Sequence, residues 1–337
     1  MKKIFTASLI SIAICILLLY VKNQFSCILL AESTYGMPAL IKRGSIENLY
    51  LGSSMFRQGL DINILDSTTD HTNYILAYNG NQPALEYYEL KYLIDNNVEI
   101  KNLYVDMYVY SAWEDPELND EKLLMEIKLP EKWNIWQMIS SNLENKYIQT
   151  LWRYWVNNNN ELLLTWPISS PIINSQFQNG GSLAQTYNTS EELFETPAPA
   201  ISEKMSPTQE YYIKELIHLS KEHHINLVFI ETPKYETIAN NTSYLSAMKE
   251  YAQLLSDEHI NYVVSENTQN KCQLGKTSFY TFNHSEKSYY TDTMHLSYNG
   301  RCAFTSCIST ILCSPFSSDL LSVFPSLYNA MPFQQPL

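Results

Sequence analysis

Basic residues are scarce: 22 Lys and Arg stand against 35 Asp and Glu, a formal net charge of −13. A phosphate backbone is bound mainly by Lys and Arg that displace its counterions, so nucleic acid is excluded as a partner. The same deficit gives no pull toward an anionic membrane surface, and membrane residence would need a hydrophobic element. Glycine is sparse as well, at 9 of 337 residues, and forms neither a Walker loop nor a dinucleotide fingerprint. A Gly-x-Ser-x-Gly elbow and a His-Glu-x-x-His helix are both absent. The six cysteines include no Cys-x-x-Cys pair, which removes the usual zinc spacing. No metal and no cofactor are expected. Only 17% of the residues are charged while 45% are hydrophobic, a balance that belongs to a packed body and not to a disordered chain.

The N-terminus supplies the hydrophobic element. Lys2 and Lys3 precede an uncharged run from Ile4 to Val21. As a helix its 18 residues reach roughly 27 Å, close to the hydrocarbon thickness of a bilayer. The two leading lysines favour a cytoplasmic N-terminus and place the residues after Lys22 outside. No small-x-small site occurs at the distance of signal cleavage, and Gln24-Phe25-Ser26 is a poor lipobox ahead of Cys27. An uncleaved single-pass anchor over residues 1–22 is the expectation, with a cleaved signal as its rival. In an oxidising compartment the C-terminal cysteines could hold one disulfide; equally, Cys302, Cys307 and Cys313 read as small buried hydrophobes on a last helix.

Beyond a linker at 23–44, the segment 45–325 reads as one α/β domain and 326–337 as a tail. Strands are expected over 46–50, 74–78, 100–110, 225–233 and 260–264, where β-branched and aromatic residues run into turn residues. Pro83 opens a helical pattern with Leu85, Tyr88, Leu90, Leu93 and Ile94 on its buried face, and YYIKELIHLSKEHH precedes the fourth strand. Strands that alternate with helices imply a doubly wound, mainly parallel sheet of about five strands. From about 113 to 206 the pattern breaks into a Trp-rich, mainly helical insertion, read either as a substrate surface or as a stabilising subdomain.

A serine becomes a nucleophile when a histidine, itself held by a carboxylate, removes its proton. Ser54 follows the first strand, and Asp292-Thr293-Met294-His295 offers both partners ahead of a helix starting near Ser297. In a doubly wound sheet, reactive groups gather at the carboxyl ends of the strands, so the two ends of the chain are expected to meet there. The segments LGSSMFRQGLD, AYNGNQP, VFIETP and YYTDTMHLSYNGR, in that order, resemble the conserved blocks of SGNH (GDSL-like) hydrolases, in particular DltD-like and related cell-envelope acyl-transfer proteins. The resemblance covers 46–110 and 207–313 and implies a flavodoxin-like sheet. It implies that Ser54, not Ser53, is the nucleophile, His295 the base and Asp292 its orienter. It also implies an oxyanion hole from the N–H groups of Ser54 and Gly80. The family's Gly-x-Asn-Asp block is missing, which leaves Asn79 and Asn81 as alternative side-chain donors. The remaining histidines read as surface or loop residues.

Two classes of function are consistent with these residues. One is an extracytoplasmic serine esterase or O-acyltransferase that works on an acylated cell-envelope carbohydrate polymer or a small acyl ester, with a membrane O-acyltransferase as a candidate partner. The other is a non-catalytic carbohydrate-binding or scaffold protein of the same fold that assists such an acyltransferase or polymer export, in which Trp152, Trp155 and Trp166 stack on sugars.

Overall fold

A computed structural model describes residues 2–30, 36–120, 123, 126–141, 180, 181, 194, 198–275 and 277–313. Among these residues six strands form one sheet: β1 (Ser45–Gly52), β2 (Asn73–Ala77), β3 (Glu99–Asp106), β4 (Asn226–Ile230), β5 (Asn261–Ser265) and β6 (Ser278–Tyr280). Their spatial order is β2-β1-β3-β4-β5-β6, and every neighbouring pair is parallel. The α/β parallel architecture thus stands, with six strands in place of about five. The short β6 was not anticipated: its three residues are too few to display a period.

Inward-facing residues alternate between two cores, as a pleated strand requires. Leu49, Leu51, Leu103, Val105, Leu227 and Phe229 face one core. That face is covered by α2 (Met37–Arg43), α5 (Pro83–Asp95), α6 (Val109–Ala112), α7 (Leu129–Ser141), α8 (Pro207–Glu222) and α10 (Thr242–Asp257). Tyr50, Ile75, Tyr104, Val228 and Val263 face the other, under α3 (Ser54–Gly59), α4 (Ile62–Thr69) and α12 (Tyr298–Cys313). Two short helices, α9 (Glu236–Ala239) and α11 (Glu266–Cys272), come after β4 and β5.

The register of the central strands is fixed by side chains as well as by the ladder. Asn73, Asn48, Asn102 and Asn226 stand opposite one another on β2, β1, β3 and β4. Asn48 Nδ2 donates to Asn73 Oδ1 at 3.0 Å, Asn102 Nδ2 to Asn48 Oδ1 at 2.8 Å and Asn226 Nδ2 to Asn102 Oδ1 at 3.2 Å. Asparagine is a poor strand former in isolation. Here the amides of Asn48 and Asn102 each donate and accept, and a one-residue slip would break the whole row.

Some boundaries differ from expectation. β3 ends at Asp106 instead of continuing to 110, because Val109–Ala112 coils into α6. β4 ends at Ile230, so 231–235 is free to form a turn. Within 23–44 the described residues hold the end of α1 (Lys2–Leu30) and α2. On α5, Leu85, Leu90 and Leu93 are buried as expected, while Tyr88 and Ile94 are only partly so. Glu86 and Glu89 are drawn inside with them. Burial first, and neighbouring carboxylates second, push both of these acids well above their ordinary pKa. Cys272, Cys302 and Cys307 are free thiols. Of the insertion, α7 falls among the described residues and bears out a helical part; Trp152, Trp155, Trp166 and the tail 326–337 lie outside them.

Among the described residues no helix is long and apolar enough to cross a membrane. The described side chains of α1 include Leu9, Ile10, Ile12, Ile14, Ile16, Leu17, Leu18 and Val21, all exposed.

The amide row makes a direct prediction. Asn48→Ala removes a donor from buried Asn73 and an acceptor from half-buried Asn102, and is expected to destabilise the chain by about 1–3 kcal/mol. Urea unfolding would check this. A change within roughly 0.5 kcal/mol, typical of a surface substitution, would mean that the row contributes nothing.

Candidate active site

In this strand order the chain reverses direction across the sheet between β1 and β3, and ligands of doubly wound sheets bind outside the strand ends at that point. β1 ends there in Gly52. A Cβ at this position would lie 2.6 Å from Asp106 Cβ, so only glycine lets the ends of β1 and β3 approach so closely. Ser53 then adopts extended backbone and caps α3, its Oγ accepting from Met55 N at 3.2 Å. Ser54 is the first residue of that helix, so its N–H has no intrahelical acceptor.

The other half of the site is a loop closed by an antiparallel bridge between Tyr290 and Leu296. Inside it, Asp292 uses its two oxygens separately. Oδ1 accepts from the N–H groups of Met294 at 2.6 Å and His295 at 2.8 Å and thereby shapes the turn. Oδ2 takes the Nδ1–H of His295 at 2.8 Å. That proton assignment leaves the Nε2 lone pair free, and Nε2 lies 3.0 Å from Ser54 Oγ. Ser54, His295 and Asp292 therefore meet across 241 positions of sequence. Burial opposes ionisation of Asp292, but the hydrogen bond from His295, its charge and the two N–H groups outweigh it and hold the carboxyl below its ordinary pKa. Ser54 is 8% exposed, and His295 and Asp292 are about one-quarter exposed as side chains, so the three are reachable from solvent.

The turn after β2 carries the other expected residues. Tyr78 N donates to Gly52 O at 3.1 Å, which sets this turn beside the Ser53–Ser54 corner. Gly80 has φ 59°, and a Cβ there would lie 2.8 Å from Asn119 Cβ. Among the described residues the N–H groups of Ser54 and Gly80 hold no acceptor. The two asparagines, the alternative side-chain donors, lie in different settings. Asn81 is buried, with Nδ2 donating to Glu89 Oε2 at 3.2 Å, so its amide serves the interior. Asn79 is exposed and is held by its main-chain N–H on Asp120 Oδ2 at 3.0 Å.

Three neighbours were not anticipated: Asp106 at the end of β3, Tyr108 just after it, and Lys234 in the turn after β4. Tyr108 is half-buried; burial first, then the charge of Asp106, raises its hydroxyl pKa. Lys234 is 2% exposed, donates from Nζ to Thr232 O at 2.8 Å and lies 5.8 Å from the centre of the Tyr108 ring. The available signals were a charged residue closing an apolar strand and a lysine directly after Thr-Pro at a strand end. His284 is a loop residue as expected, but its Nδ1 donates to Lys234 O at 2.6 Å. No group of His, Cys, Asp and Glu able to hold a metal occurs among the described residues. No protein-family model matches the chain, and no curated protein matches it significantly.

A carboxyl whose folded pKa is depressed contributes stability that is present above its ordinary range and is lost as pH falls through the depressed value. Asp292→Asn is therefore expected to shift the urea midpoint most near neutral pH, with the gap from the parent closing in acid. A gap independent of pH would mean that the ionised carboxylate is not what holds the loop.

Proposed function

We propose that this chain is a serine-dependent esterase or O-acyltransferase that acts on acyl esters of a cell-envelope carbohydrate polymer through an acyl-Ser54 intermediate. The observation that carries this reading is the 3.0 Å separation of Ser54 Oγ and His295 Nε2, with the opposite ring nitrogen bonded to Asp292. Ser54 Oγ attacks the acyl carbonyl while His295 Nε2 takes the hydroxyl proton. The imidazolium so formed is stabilised by Asp292. The tetrahedral oxyanion is received by the N–H groups of Ser54 and Gly80, and losing one such donor typically costs about 100- to 1000-fold in rate. Collapse breaks the ester C–O bond, and His295 returns its proton to the departing alcohol. Water or a sugar hydroxyl then attacks acyl-Ser54, with His295 again as base; the first outcome is hydrolysis and the second transfer.

The cell-envelope substrate rests on the resemblance of the four sequence blocks to DltD-like proteins. The run Ile4–Val21 behind Lys2 and Lys3 anchors the chain with its catalytic domain outside the cytoplasm, a reading that rests on the sequence. A membrane O-acyltransferase is the natural source of acyl groups in that setting.

A fluorophosphonate probe is expected to label the full chain once, on Ser54, as mapped by mass spectrometry. Ser54→Ala should abolish labelling, and His295→Ala should slow it by roughly a million-fold. An adduct on Ser53, or none under conditions that label a control serine hydrolase, contradicts the enzyme and favours the scaffold. Release of a shortened soluble form from cells contradicts the anchor.

A further inference from the structure

We propose that Ser53 and Asp106 form a second hydroxyl–carboxylate pair, and that this pair positions the Ser54 nucleophile. The inference rests on the reading of Ser54 as a nucleophile and adds residues with a role distinct from the triad's. Ser53, Asp106 and Lys234 are 0%, 2% and 2% exposed, so none of them faces a substrate. Their effect on chemistry has to pass through Ser54.

Ser53 Oγ donates to Asp106 Oδ2 at 2.5 Å, within the range of a charge-assisted O–H···O⁻ bond. The same oxygen accepts from Met55 N at 3.2 Å. One hydroxyl thus ties the end of β3 to the first turn of α3, and Ser54 lies between Ser53, which carries it, and Met55, which it binds. The second oxygen of Asp106 accepts from Thr232 Oγ1 at 3.3 Å, so the carboxylate also grips the turn after β4. That turn reaches the histidine loop. Tyr290 Oη donates to Lys234 O at 3.0 Å, and Tyr235 N donates to Thr293 O at 3.0 Å. A single chain of contacts therefore runs from Ser53 through Asp106, Thr232 and Lys234 to the segment that carries Asp292 and His295. This sets the span between nucleophile and base.

A carboxylate this deep needs a compensating charge. Lys234 is the cation whose field acts most strongly to keep Asp106 ionised, against a burial that pushes the acid's pKa up. Burial in turn pushes the Lys234 pKa down, opposed first by Asp106 and then by Glu231 and Asp292. Each member of the pair supports the charged form of the other.

Fluorophosphonate inactivation of the full-length protein separates positioning from affinity, because it yields a maximal rate and a half-saturating probe concentration. Ser53→Ala removes one oxygen. It is expected to lower the maximal rate about 10- to 100-fold, as a misplacement of the nucleophile on the order of 1 Å would, and to leave half-saturation unchanged. Asp106→Asn, which keeps an acceptor and loses the charge, should fall between Ser53→Ala and the parent. Lys234→Met should lower both rate and melting temperature, and Asp106→Asn with Lys234→Met should recover melting temperature relative to Lys234→Met alone. If Asp106→Asn does not fold, Ser53→Ala alone carries the test. Folded Ser53→Ala and Asp106→Asn proteins that label at the parent's maximal rate would overturn the inference and leave the Ser54 reading intact. A parent that is not labelled at all would overturn the Ser54 reading and the positioning role with it.

Discussion

The turn after β4 is the constraint on which the site depends. Glu231, 2% exposed, accepts from Tyr244 Oη at 2.8 Å and Thr268 Oγ1 at 2.7 Å on one oxygen and from Ser265 N at 2.7 Å on the other. Three donors from α10, β5 and α11 thus hold one buried carboxylate and, with it, the point where the chain leaves the sheet. Its main-chain oxygen accepts from Tyr280 Oη at 2.8 Å, which adds β6. Thr232 turns toward Asp106 and the end of β3, while Lys234 and Tyr235 bond the loop around Thr293. Removing one donor from such a buried network leaves a carboxyl oxygen unsatisfied, at a cost typically of about 1–3 kcal/mol. The network therefore braces the span between Ser54 and His295, 241 positions apart.

The division of labour between the two ends of the sheet arises from the same physics. Away from the carboxyl ends, at the start of β2 and β4 and midway along β1 and β3, the asparagine row secures register. At the carboxyl ends, Gly52 lets β1 and β3 converge, and the chain turns sharply at Ser53 into α3. Polar groups concentrate there because strand ends leave main-chain donors unspent, and a developing oxyanion can use them. Asp292 shows the economy of the arrangement, since one of its oxygens builds the loop and the other orients the imidazole that the loop presents.

Much of this was legible in the sequence. Apolar runs ending in turn residues marked five of the six strands, and the spacing of Asp292 and His295 put both on one loop. Ser54 was distinguished from Ser53 by resemblance, and the hydrogen bonds give the physical reason: Ser53 Oγ points into β3, and Ser54 Oγ points to the imidazole. The roles that could not be read are those created by tertiary packing. Lysine and glutamate patterns ordinarily mean a solvated face, and nothing in a one-dimensional pattern announces that Lys234, Glu86, Glu89 and Glu231 lie inside. Asn81 looked like an oxyanion donor by its position beside Gly80, but its partner Glu89 sits eight residues away on a helix whose acidic side chains would ordinarily face water. The asparagine row was invisible for a similar reason, since each member gains meaning only when four distant strands are aligned.

The central claim is that Ser54 is held for attack between His295 and a pair of main-chain donors. A crystal structure of the protein after reaction with a fluorophosphonate tests it directly. The account requires phosphorus bonded to Ser54 Oγ, with a phosphoryl oxygen about 2.7–3.1 Å from the main-chain nitrogens of Ser54 and Gly80 and His295 still bonded to Asp292. Phosphorus on another residue, or a phosphoryl oxygen turned away from Gly80 with His295 more than about 6 Å from Ser54, well beyond hydrogen-bond reach, would contradict it.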